Sequence, residues 1–145
     1  MAGKKSNAPL PEPTQPIRKA VFWVGSARQD LRDFAPDVKR VMGYALYRAE
    51  LGQTHPKAKP LKHLVDGTVT EIVENDESGT YRVVYTIEFK EALYVLHAFQ
   101  KKSKRGISTP RHDLDTIRRR YFIARQHYRT WRKEQDEKNS ATHKR

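Results

Sequence analysis

The sequence predicts an α+β domain: a small antiparallel sheet with helices on one face, in the order β-α-α-β-β-β-α. Three observations predict it. The segments "TVTEIVE", "TYRVVYTIEF" and "LYVLHAF" are rich in β-branched and aromatic residues and follow one another through short connections. Ahead of them lie one strand-like segment and two helical patterns. Behind them lies one long stripe of helical period.

Taken in order, residues 1–16 hold Pro9, Pro11, Pro13 and Pro16 and few side chains able to pack, which predicts a disordered arm of polyproline character. The folded domain is expected over 17–137 and a flexible tail over 138–145. "IRKAVFWV" reads as a strand. "SARQ" fits a capping box, with Ser26 as N-cap and Gln29 at N3, opening a short helix to about Phe34. Pro36 and Asp37 suit the first turn of a second helix. Its apolar stripe is Val38, Val41, Met42, Ala45 and Ala49, and Gly52 can close it. Residues 53–66, with Pro56 and Pro60, are expected to form a loop.

Within the meander, "NDESG" is a hairpin-length link and "KEA" a second short one. The middle strand places Tyr81, Val83, Tyr85, Ile87 and Phe89 on one face and Arg82, Val84, Thr86 and Glu88 on the other. The apolar face is expected to pack the helices and the mixed face to be the working surface. Thr109 can then cap, and Pro110 start, a long helix. Its stripe is Leu114, Ile117, Tyr121, Ala124, Tyr128 and Trp131.

A chain of 145 residues, 37% apolar, builds one domain with one modest core. It has no cysteine, which excludes disulfides and thiolate metal sites, and its six His show no ligand spacing, so no metal or cofactor is expected. No apolar run approaches the roughly 20 residues needed to span a bilayer. The N-terminal residues carry no apolar core of a secretory signal, and a cytoplasmic location with no membrane partner is expected.

The charge is more informative. The formal net charge is +12, which points to an anionic partner, most often nucleic acid. Residues 91–145 hold 15 basic and 6 acidic side chains, so most of the excess sits there. In "YVLHAFQKKSKRG" a core strand ends in Lys101, Lys102, Lys104 and Arg105, and Arg118, Arg119 and Arg120 follow on the last helix. A strand end is rigid, so it can aim charge at a phosphate. Arg118, Arg119 and Arg120 read equally well as a solvated helix face.

These segments resemble a known family. "TYRVVYTIEF", "LYVLHAFQKKSKRGISTP" and a terminal helix, with "VFWVGSARQDLRDFAPDVKRVMGYAL" and "AKPLKHL" upstream, resemble the RelE/ParE toxin superfamily, most closely its HigB-type, phage-related branch, over residues 17–125. The resemblance implies a RelE-like fold and a type II toxin–antitoxin system. It also implies metal-independent endoribonuclease action on messenger RNA in the ribosome, and a small helix-turn-helix antitoxin as neutralising partner.

Such cleavage needs a base for the 2′-OH, an acid for the 5′ leaving oxygen, and cations for the crowded phosphorane. By the resemblance, Arg82 falls on the arginine of the family's "YR..Y" strand and would hold the scissile phosphate. Lys101 and Lys102 fall where the family ends its last strand in a cation, while Lys104, Arg105, His112, Arg118 and Arg119 would bind RNA. His97 or His112 could move protons at neutral pH. Where the best-known branch carries lysines, "VTEIVEN" carries Glu71 and Glu74. Glu71 could serve as general base or could pair with Arg82. Two rival functions fit the same charge: ParE-like inhibition of DNA gyrase, and RNA or ribosome binding without catalysis.

Overall fold

The computed structural model describes residues 18–62, 64–101 and 109–143. The chain runs through β1 (Ala20–Trp23), α1 (Ala27–Arg32), α2 (Pro36–Glu50), β2 (Ala58–Pro60), β3 (Val69–Asp76), β4 (Gly79–Thr86), β5 (Ala92–Lys101) and α3 (Arg111–His143). The strands form one sheet in the order β1-β5-β4-β3-β2. β1 pairs with β5 in parallel; every other pairing is antiparallel.

The α+β class, the antiparallel meander and the flanking helices are as the sequence implies. The loop expected over 53–66 contributes a strand, β2, because Ala58–Pro60 can pair with the edge of β3 despite Pro60. The long helix continues to His143, into the segment expected as a tail. The arm expected over 1–16 lies outside the described residues.

The layering differs from expectation. Helices cover both faces of the sheet, not one. On the first face, Ala27, Leu31, Val38, Met42, Ala45 and Ala49 of α1 and α2 pack on Ile72, Val83, Tyr85, Leu93 and Val95. On the second, Ile117, Tyr121 and Ala124 of α3 pack on Val69, Val84, Tyr94 and Leu96. Judged from β4 alone this second face is mixed. Its neighbours add Val69, Tyr94 and Leu96, so its middle is apolar and demands a cover. Each such side chain removed from water contributes about 1.5–3 kcal/mol.

A bulge in β5 serves the same packing. Val84 pairs with His97 and Tyr85 with Val95, so Leu96 has no partner in β4. β4 also stops earlier than the alternation suggests: Ile87 is exposed, and Phe89, past the strand end, joins the α3-side core.

Two local signals resolve differently from their sequence reading. Ser26 is the N-cap of α1 but makes no side-chain cap bond; its hydroxyl goes to Asp30 Oδ2 at 2.7 Å, and Gln29 bonds Asp33. Thr109 turns its hydroxyl toward Arg82 at 3.5 Å.

Candidate functional site

Beyond the apolar middle of the second face, toward the end of β5, the sheet turns polar. Glu71, Arg82, His97, Phe99 and Lys101 stand there, because Glu71 is opposite Val84, Val84 opposite His97, Arg82 opposite Phe99 and Thr80 opposite Lys101. The start of α3 lies over this patch and seals much of it.

Arg82 is 3% exposed and Glu71 8%. Arg82 Nη1 donates to Glu71 Oε2 at 3.0 Å and Oε1 at 3.2 Å. Of the two possibilities for Glu71, pairing with Arg82 is therefore the one realised. Arg82 is presented to a carboxylate and to Thr109 rather than to an open groove. A buried ion pair of this kind constrains the fold strongly once one partner is removed.

His97 is as buried as Glu71, but lines a cavity at its edge. Its Nε2 is 2.7 Å from Asp113 Oδ1, and its ring stacks on Phe99 with centroids 4.9 Å apart. Nδ1 faces Arg120 Nη1 at 3.4 Å. A guanidinium only donates, so Nδ1 is the acceptor and Nε2 carries the proton given to Asp113. Burial holds the imidazole pKa below its ordinary value; Asp113 opposes this less strongly, and Arg120 adds to it. The ring is thus neutral at pH 7, in one tautomer.

Arg120 is itself held. Nη1 donates to the carbonyl of the bulged Leu96 at 2.9 Å and Nη2 to Ser26 Oγ at 3.2 Å, and Ser26 bonds Asp30. A polar chain therefore joins α3, β5 and α1: Asp113, His97, Arg120, Ser26, Asp30. Beside it a cavity of about 280 Å3 opens, lined by Asp30, Asp33 and Phe34 and by His97, Phe99 and Gln100.

The other expected site residues are spread more widely. Lys101 is half-buried at the end of β5. Lys102, Lys104 and Arg105 lie outside the described residues. His112 and Arg119 are exposed; Arg118 is exposed and bonds Asp115 at 3.1 Å and the Leu64 carbonyl at 3.4 Å. Among the described residues no group of three His, Cys, Asp or Glu is placed to hold a metal, and no helix is long and apolar enough to cross a membrane.

Residues 29–122 match the family described as phage derived protein Gp49-like. The chain belongs to this family. The Gp49-like family is a RelE/HigB-type toxin family, which makes the chain a toxin of the type II toxin–antitoxin kind. A solved structure similar to it is the toxin–antitoxin complex RelBE2 from Mycobacterium tuberculosis, at 20% identity and a TM-score of 0.40, covering 59% of this chain and 100% of that one. No curated protein matches.

The Gp49-like segment contains the whole polar chain except Ser26. Sequence reasoning found His97 but not the roles of Asp113, Arg120, Ser26 and Asp30. A signal was present: Asp113, Ile117, Arg120 and Ala124 are spaced 4, 3, 4, so Arg120 belongs to the inward stripe while Arg118 and Arg119 do not.

Proposed function

We propose that this Gp49-like toxin is a metal-independent endoribonuclease that cleaves translated messenger RNA in the ribosome, with His97 as its proton-transfer group. The observation that carries the reading is the fixed imidazole: neutral, in one tautomer, with Asp113 on Nε2. Its Nδ1 lone pair faces Arg120 Nη1 at 3.4 Å, long for a hydrogen bond, so a substrate hydroxyl can take the place of the guanidinium there.

In this scheme Nδ1 takes the proton of the 2′-OH as that oxygen attacks the adjacent phosphorus. The 5′ oxygen departs with a proton from water, leaving a 2′,3′-cyclic phosphate. Lys101, with Lys102, Lys104 and Arg105 after it, meets the charge that builds on the phosphorane. Arg82 reaches a phosphate only by exchanging Glu71 for it; otherwise the pair fixes the floor on which His97 stands. Glu71 stays engaged with Arg82. His112, Arg118 and Arg119 contact RNA from the exposed side of α3. A helix-turn-helix antitoxin in the same cytoplasm neutralises the toxin.

Single-turnover cleavage of ribosome-bound message tests this. Cyclic-phosphate ends should form in the presence of a chelator, and His97→Ala should slow the reaction about a hundredfold or more, as for loss of a general base. Expression should arrest growth. DNA breaks with intact message would move the function to gyrase; normal growth with folded protein present would overturn the toxin reading.

A further inference from the structure

The outer face of α2 carries a residue that packing within the chain does not explain. Gly43 sits at the centre of this helix, Pro36–Glu50, and is exposed. After proline, glycine is the residue least suited to a helix interior, because it loses the most conformational freedom on folding. A Cβ at position 43 would meet no atom within 4 Å, so no neighbour among the described residues requires the missing side chain. Nor is Gly43 one of the positive-φ glycines. The helix is weakened here, and the domain itself gains nothing from it.

The surroundings of this notch are aromatic and cationic. Tyr47, one turn on, is 44% exposed, and Tyr44 is 55% exposed. Arg18 Cζ lies 5.5 Å from the ring centre of Tyr47, and Arg48 Cζ lies 5.9 Å from that of Tyr44. His55 meets the Tyr44 ring edge-on at 6.1 Å. The nearby carboxylates are engaged, Glu50 with Arg18 and Asp37 with Arg40. Lys39 bonds the Arg32 carbonyl and Arg48 bonds Gln53, so among the described residues neither cation is neutralised by a carboxylate. The face therefore offers rings and net positive charge, and it exposes no large aliphatic side chain. An apolar peptide would need aliphatic contacts. Rings with cations beside them suit unpaired bases, which stack on the rings while the cations meet the phosphates.

We propose that this face of α2 binds an unpaired segment of RNA, with Tyr44 and Tyr47 each stacking a base and Gly43 admitting one base to the helix backbone. α2 covers the first face of the sheet, whereas His97 stands on the second under Asp113 of α3. The sheet separates the two places, so the segment on α2 is not the strand at the imidazole. Binding here stands apart from cleavage: it fits the nuclease scheme and the rival binding function alike, and its failure reads out separately from theirs.

Photocrosslinking on the full chain is the test. The probe is a 5-iodouridine-labelled 2′-O-methyl oligonucleotide of about eight nucleotides, within the span of one single-strand site and without a 2′-OH to react. Irradiation should join it to Tyr44 or Tyr47, located by peptide mass spectrometry. In Tyr44→Ala and in Tyr47→Ala, the probe concentration that half-saturates crosslinking at the remaining tyrosine should rise about tenfold, as for loss of one stacked base. Gly43→Ala should raise the melting temperature by about 4 °C and yet weaken this crosslink severalfold. Crosslinks confined to α3, for instance at the exposed Phe122, would overturn the site, and so would parental half-saturation in both alanine variants. A more stable Gly43→Ala with unchanged crosslinking, or a less stable one, would overturn the role of the glycine. Self-association of the free chain that is lost in Tyr44→Ala would assign the face to a second copy.

Discussion

Asp113, in the first turn of α3, holds His97 of the bulged strand β5 through a 2.7 Å bond from Nε2 to Oδ1. The contact fixes which imidazole nitrogen is free. If His97 transfers protons, Asp113→Ala lets the ring rotate and change tautomer. We expect the cleavage rate to fall on the order of tenfold, less than loss of the base itself, with message binding little changed. The readout is the single-turnover rate, with circular dichroism as folding control. A parental rate in Asp113→Ala would remove His97 from the reaction.

The same burial makes a prediction about pH. His97 has a folded pKa below its ordinary 6.5, chiefly through desolvation. Above pH 6.5 neither folded nor unfolded chain protonates it, and the stability is complete. As pH falls below 6.5 the unfolded chain takes a proton that the folded chain resists, so stability declines until the folded pKa is passed. His97→Gln should flatten the slope of unfolding free energy between pH 6.5 and the acid end. Urea titrations at several pH values give that slope; an unchanged slope would mean that His97 is not held neutral. The pKa of the half-buried His55 is shifted in the same direction, so the difference between the two proteins, not the parental curve alone, isolates His97.

Arg82 and Glu71 bear on how any Arg82 variant is interpreted. Arg82→Ala leaves a carboxylate that is 8% exposed without its main partner, and Glu71→Ala does the reverse. Each single change should cost about 3–5 kcal/mol, whereas Arg82→Met with Glu71→Leu should recover most of the loss. Chemical denaturation measures all three. A phosphate-holding role alone would make Arg82→Ala inactive yet folded; with the buried pair, truncation also costs stability and mixes the two effects. The double variant separates the two effects: a stable, inactive protein would restore a direct role for Arg82, and a stable, active one would restrict the pair to support.

Much of this fold is legible in the sequence because local signals agree with it. The meander, the Pro36 helix start and the 3–4 spaced stripe of α3 each follow from short-range patterns. What is not legible depends on neighbours. The second face becomes apolar only when Val69, Val84, Tyr94 and Leu96 come together from three strands, and the bulge at Leu96 that aligns two of them is invisible in a period-2 reading. The site divides the same way. His97 and Lys101 stand out as residue types at the end of a strand. Arg82 stands out too, yet its meaning changes with Glu71, one strand away. Arg120 hides in a run of three arginines that differ only in which side of a helix they occupy.

Gly25 ties the backbone to that hidden arginine. Its φ is +57°, and a Cβ there would lie 2.7 Å from Arg120 Cζ. Gly25→Ala therefore meets two obstacles. The left-handed conformation costs about 1–2 kcal/mol for a residue with a side chain. The methyl group also drives the guanidinium from Leu96 O, Ser26 and Nδ1 of His97. Since Arg120 helps to keep His97 deprotonated, the His97 pKa should rise in Gly25→Ala, visible in an imidazole titration by NMR. The two causes separate in a double-mutant cycle. With Arg120→Ala already in place the steric conflict is gone, and Gly25→Ala should then cost only the conformational part. If the cost is the same in both backgrounds, the close approach of Gly25 to Arg120 contributes nothing to the site, and the glycine serves the turn between β1 and α1 alone.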